Sequence, residues 1–378
     1  MTGLYIHIPF CRQKCRYCDF PSYGGVDNYI APYVKALCRE IADSDRDHPG
    51  SAGTALDTVY FGGGTPSLLS LSQVEEILTA VRHYFAVTGG AEITFEANPD
   101  SLTAAYAKGL AGLGINRLSI GIQSFQPGLL RTLGRIHTAD EGKAAIWAAK
   151  NAGIDNLSAD LMYGLPGQNL RDVDADLKEL LALPLTHASI YSLILEEGTP
   201  FYHDVTTGTL ELPPDDCVET MGQAVHAAME VAGFEHYEIS SYARPGNRSR
   251  HNTKYWQYVP YVSAGVSAHS FWHNCRQAHI ANIPQYIRLA GQASLIGERV
   301  EIDAKRGPED YCFLALRMRD GIDAKAFKDQ FGTTVEAEFG TVLAPLVTQG
   351  LLQQTRRGYA LTEKGLAYGN YVFSRFIR

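Results

Sequence analysis

Tyr5-Ile6-His7-Ile8-Pro9-Phe10-Cys11-Arg12-Gln13-Lys14-Cys15-Arg16-Tyr17-Cys18 begins as an apolar, strand-like segment and ends in three cysteines spaced C-x3-C-x2-C. Three thiolates can hold three irons of a four-iron, four-sulfur cube, which is usually held by four cysteines. The fourth iron is then left open for an exchangeable ligand. Two plainer readings compete: structural thiols, or three ligands of a zinc site. Zinc sites usually pair two C-x2-C knuckles, or one knuckle with a histidine pair. Here Cys38, Cys217, Cys275 and Cys312 are isolated, so there is no second knuckle. Seven cysteines are an odd number for a disulfide framework, and no signal peptide is expected before them.

Outward from this stretch, short apolar runs alternate with longer helical patterns. Strands are expected over 4–8, 58–61, 92–96, 117–122, 156–162 and 188–194, and helices over 72–85, 103–113, 139–152 and 170–181. Repeated strand–helix units imply parallel strands joined by right-handed crossovers. Six units fall short of a closed eight-fold barrel, so the expected fold class is α/β, a partial (β/α)6 barrel open on one side. The rhythm changes after residue 200. A helix over 215–232 and a strand over 237–240 precede a polar, aromatic stretch from Arg248 to Tyr261. A first domain is expected over 1–297, with its core in about 1–200, and a second over 298–378. The second reads as helices followed by a short hairpin, mostly helical and winged-helix-like.

A chain of 378 residues with 45% hydrophobic content can bury a sizeable core. Its formal net charge of -8 offers no nucleic-acid footprint, and no apolar run is long enough for a membrane span. A cytoplasmic protein is the expectation.

Reactive groups of α/β barrels gather at the C-terminal ends of the strands. Those ends carry the three cysteines, Gly62-Gly63-Gly64-Thr65-Pro66, Glu96-Ala97-Asn98-Pro99, Gln123-Ser124-Phe125, Asp160, and Ser192 to Leu195. Glycines without side chains let a ligand approach the backbone closely. Taken alone, each polar residue among them could equally satisfy buried backbone or a neighbouring ion pair.

The cysteine spacing coupled to Gly-Gly-Gly-Thr-Pro resembles the radical S-adenosylmethionine (SAM) superfamily. Across nearly its whole length the chain is similar to the oxygen-independent coproporphyrinogen III oxidases and their relatives. The resemblance is carried by Tyr5 and the run to Cys11, residues 62–66, 96–99 and 121–125, Arg135, residues 160–167, and the Gly265 to His269 stretch. It implies a [4Fe-4S] cluster on Cys11, Cys15 and Cys18. It implies SAM held around Tyr5, Gly63, Gly64, Thr65, Glu96, Gln123, Arg135 and Asp160. Arg135 would meet the SAM carboxylate, Asp160 and Gln123 its ribose or amino donors, and the Tyr17 backbone would flank cluster and adenine.

Two departures select a branch. The oxidases carry a further cysteine two positions after the third, where this chain has Phe20, and an N-terminal extension where only four residues precede Tyr5. Both features resemble a heme-chaperone branch in which cluster and SAM site persist without oxidase activity. His251-Asn252-Thr253-Lys254-Tyr255-Trp256 matches the H-N-x-x-Y-W pattern associated with heme binding in that branch, with His251 as the implied iron ligand. The expected partners are heme and an acceptor hemoprotein, with homodimerisation left open. The competing expectation is SAM-dependent oxidative decarboxylation of coproporphyrinogen III.

Overall fold

In the computed structural model, which describes residues 1–378, strict alternation along six parallel strands sorts the side chains onto two faces. The strands are β1 (Thr2–Ile8), β2 (Ala55–Gly63), β3 (Ala86–Ala97), β4 (Arg117–Gln123), β5 (Asn156–Tyr163) and β6 (His187–Ser192). Leu4, Ile6 and Ile8 of β1, Val59 and Phe61 of β2, Ile93 and Phe95 of β3, and Leu118, Ile120 and Ile122 of β4 all join one apolar core beneath the helices. The other face carries Tyr5 and His7, Tyr60, Thr94 and Glu96, Arg117 and Ser119, Ser158 and Asp160, and His187. Period-two alternation requires this separation. Closed α/β barrels fill their interior with branched apolar residues. This lining is polar, which marks it as a place for ligand or solvent.

Helices α1 (Ile30–Ala42), α2 (Leu71–Tyr84), α3 (Ala104–Gly112), α4 (Ala139–Asn151), α5 (Leu170–Leu181) and α6 (Asp215–Val231) follow the strands in turn. Ser70 and Gln73, and Thr138 and Glu141, form reciprocal capping boxes that start α2 and α4. The expected strands and helices of this region are present, with ends displaced by a few residues.

The sheet is larger than the six expected strands. It has twelve, and a seventh parallel strand, β9 (Tyr261–Ala264), pairs with β1 on the side away from β2. Antiparallel β10 (His269–Trp272), β11 (Cys275–His279) and β12 (Ile296–Glu301) extend that side, while β7 (Glu235–Glu238) and β8 (Ser241–Ala243) extend the other beyond β6. β12 and β7 are the two ends of the sheet, which therefore stays open. The stretch after Arg248, read as polar and aromatic, contains the helix α7 (Arg250–Trp256), capped by the Ser249 hydroxyl. The division expected after residue 297 falls inside β12.

The C-terminal part carries α8 (Arg306–Ala315), α9 (Ala324–Phe331) and α10 (Val335–Thr348), then a hairpin of β14 (Leu352–Gln354) and β15 (Gly358–Leu361). β13 (Ile322–Asp323) completes a three-stranded sheet with β15 at its centre. Its apolar core includes Tyr258 and Phe271, so it packs onto the barrel extension rather than standing apart. No helix is long and apolar enough to cross a membrane.

Candidate cofactor site

The cysteine loop leaves β1 at its C-terminal end and is held by backbone bonds from every side. Gly64 N donates to Ile8 O at 2.8 Å, Thr65 N to Phe10 O at 2.7 Å, Tyr23 N to Pro9 O at 2.7 Å, and Arg16 N to Leu133 O at 3.1 Å. Glycine is needed at the cradle. Gly63 has φ +113°, and a Cβ on Gly64 would sit 2.7 Å from Phe10 O and 3.1 Å from Cys11 Sγ. The Thr65 hydroxyl lies 3.5 Å from Cys11 Sγ and the Arg135 Nη1 3.5 Å from Cys15 Sγ.

All three cysteines are half-buried free thiols. Burial pushes the Cys18 thiol up, so a metal would be needed to hold it as thiolate. No three His, Cys, Asp or Glu side chains in the chain converge closely enough to hold one metal ion. A cube, unlike a single ion, spreads its thiolates over separate irons. Three free thiols facing cationic and hydroxyl donors across a glycine cradle fit a [4Fe-4S] cluster.

Beside the cradle the polar face supplies the remaining expected residues. Glu96 accepts from the Tyr60 hydroxyl at 2.7 Å and from Gly63 N at 3.2 Å. Burial pushes Glu96 up to about 7, against the pull of those two donors. Burial also pushes Asp160 up to about 6, offset in part by the Arg117 charge. Arg135 donates through Nη2 to Gly121 O at 2.6 Å and to Asn98 Oδ1 at 2.9 Å, while its buried Nε has no partner. That spare donor suits a carboxylate. Gln123 is held at φ +69° and accepts from the Tyr191 hydroxyl at 3.2 Å. The His7 Nε2 bond to Pro21 O puts its proton there, so Nδ1 accepts from the Tyr5 hydroxyl at 3.0 Å. The Tyr17 ring meets Phe201 at 6.4 Å between centroids.

Three further contributors appear, of which the sequence named only Asn98, and that as part of a strand end. Asn98 ties Arg135 to Thr65, donating to Thr65 Oγ1 at 3.1 Å. Tyr60 holds Glu96. Asp176, buried on α5, accepts from Ser124 Oγ at 2.7 Å, Phe125 N at 2.8 Å and Gln126 Nε2 at 3.0 Å, fixing the turn that follows Gln123. Asp176→Ala strands those donors, and urea unfolding is expected to show a loss of about 2–4 kcal/mol. Polar alternation along β2 and β4 was the available signal for the interior residues.

His251 lies elsewhere. It contacts the first turns of the strands, with Nδ1 2.8 Å from Thr58 Oγ1 and Nε2 2.8 Å from the Tyr255 hydroxyl. Its ring stacks on Tyr60 at 5.1 Å, and burial lowers it to about 3. It is neutral, but neither nitrogen is free to ligate iron in this conformation. A Cβ on Gly3 would stand 3.0 Å from its ring, and Gly3 is five residues before Ile8, which places His251 and the cysteines at opposite ends of the barrel, roughly 16 Å apart along β1.

Cysteines facing a glycine cradle at the mouth of an open parallel barrel are the arrangement of a radical SAM protein. Residues 5–180 match the radical SAM superfamily, and residues 308–368 the HemN C-terminal domain. The chain is 35% identical to heme chaperone HemW of Lactococcus lactis, covering all of this chain and 97% of that one. It is 34% identical to heme chaperone HemW of Bacillus subtilis over 100% and 99% of the two chains. The chain belongs to the HemW family. Coproporphyrinogen III oxidase (HemN) from Escherichia coli shares the fold, with a TM-score of 0.85 at 22% identity over 99% of this chain and 89% of that one.

Proposed function

We propose that the protein is a heme chaperone: it binds heme, carries a [4Fe-4S] cluster with SAM, and passes heme to an acceptor hemoprotein. The observation that carries this reading is the end-to-end match to relatives named heme chaperone. Cys11, Cys15 and Cys18 would hold the cluster; Gly63, Gly64, Glu96, Gln123, Arg135 and Asp160 would surround SAM. A cluster held by three thiolates supplies an open iron and an electron to the bound sulfonium. The protein's own contribution is orientation and charge: Glu96 and Asp160 face the ligand's cationic groups, and Arg135 its carboxylate.

Heme needs an apolar face and an iron ligand. Phe20, Ile136 and Ile194 are 57, 50 and 67% exposed on loops following β1, β4 and β6. They stand at the mouth, at the far end of the barrel from His251, so they would serve a heme whose iron is held by another residue. His251 remains the proposed iron ligand, and to serve it must leave Thr58 and Tyr255. Those two bonds are worth about 1 kcal/mol each, a cost that binding heme can offset. Heme titration of His251→Ala is expected to lose the Soret shift. An unchanged spectrum would move the ligand to the mouth.

The reading as a whole is tested on anaerobically purified protein. Stoichiometric heme, released to an apo-hemoprotein, is expected; catalytic formation of protoporphyrinogen IX from coproporphyrinogen III would replace this reading with an oxidase.

A further inference from the structure

Arg117 is the largest fully buried side chain in the protein, 1% exposed, and its Nε and Nη1 have no hydrogen-bond partner. A buried cation without partners is costly and calls for an explanation. Register supplies its setting. Arg117 opens β4 opposite Thr94 of β3, which is itself opposite Tyr60 of β2. Two residues further along the same faces stand Ser119 and Glu96, again opposite one another. The Ser119 hydroxyl lies 3.4 Å from Asp160 Oδ1. Glu96 therefore stands one layer, about 7 Å, above Arg117, and Asp160, level with Gly121, stands two layers above it and reaches back to Ser119, both within the field of an arginine in a low-dielectric interior.

We propose that Arg117 is a positioning residue for the SAM site: its buried charge keeps Glu96 and Asp160 ionised so that they can receive the ligand's ammonium and sulfonium groups. This rests on the reading of those two carboxylates as SAM-binding. The other neighbours cannot do the task. Tyr5, Tyr60, Tyr191, Tyr237 and Tyr255 are phenols, neutral at physiological pH. Burial keeps His187 and His251 neutral. Arg135 is the other cation acting on Asp160, more weakly than Arg117, and its Nη2 bonds go to Asn98 and Gly121. The Arg117 charge opposes the rise that burial imposes on both carboxylates. Without it they hold their protons to higher pH.

The test is SAM affinity against pH on the cluster-loaded protein, with Arg117→Met and Arg117→Gln as neutral variants and Arg117→Lys as the charged one. Wild-type affinity should rise as pH passes through 6 to 7. In the neutral variants the midpoint should move up, making binding near pH 7 roughly tenfold weaker and restoring it at higher pH. Arg117→Lys should keep the wild-type midpoint. An infrared titration of the carboxyl groups without SAM should show the same displacement. Neutral variants that titrate like wild type, or a folded Arg117→Lys that behaves like Arg117→Met, would overturn the proposal. Wild-type protein that binds no SAM at any pH would instead remove the cofactor reading, and the infrared titration would still judge Arg117.

Discussion

Anaerobic reconstitution of Cys11→Ala, Cys15→Ala or Cys18→Ala is expected to leave almost no iron or sulfide on the chain, against about four of each in wild type. Three thiolates are the minimum that leaves a cube with one open corner, and no other cysteine can substitute. Cys38 is half-buried on α1, Cys275 and Cys312 are buried elsewhere, and Cys217 is exposed on α6. Cys217→Ala is the matched control and should bind the full cluster. The measurement is iron and sulfide per chain. Full clusters in all three single variants would remove the cysteine assignment and with it the cofactor site.

Gly64→Ala is expected to produce the second large effect. The new methyl group would stand 2.7 Å from Phe10 O and 3.1 Å from both Cys11 Sγ and Ile8 O. Two of those atoms belong to backbone and cannot rotate away, so the cysteine loop must shift. We expect at least a tenfold loss of SAM affinity, incomplete cluster loading, and about 2–3 kcal/mol lower stability. Gly63→Ala adds strain from φ +113° and a contact of 2.5 Å with the His7 ring. Gly90→Ala, where nothing lies within 4 Å, is the control and should be close to neutral. Calorimetric SAM titration alongside urea unfolding separates lost binding from lost folding. Wild-type affinity in Gly64→Ala would show that the cradle does not hold the ligand.

Much of the barrel was legible because its strands are short, apolar and bounded by turn residues, and because one long helix lies between successive strands; the short helix Pro127–Leu133 ahead of α4 was not expected. The span expected for α5 is the span observed, since Asn169 caps it and its apolar stripe is regular. What escaped was non-local. β9 has four residues, and nothing within its own sequence says that it will lie against β1, some 250 residues earlier. α7 was hidden because its apolar face is aromatic and its seven residues give little periodicity.

The site shows the same division. Cys11, Cys15, Cys18 and the glycines stand in recognisable spacing, so their residue types alone pointed to the place proposed for a cofactor. Asp176 and Tyr60 do not: a lone acid on a helix and a tyrosine in a strand become supports only when the fold brings Ser124 and Glu96 to them. His251 shows the reverse. Its motif is recognisable, but its sequence could not disclose that Thr58 and Tyr255 would occupy both of its nitrogens.

The placement of His251 and the thiols at opposite rims of the barrel does not isolate one from the other. The His251 ring stacks on Tyr60, and the Tyr60 hydroxyl holds Glu96 beside the glycine cradle. A ligand that drew His251 away from Thr58 and Tyr255 would remove the ring against which Tyr60 rests, so one aromatic side chain relays occupancy from rim to rim.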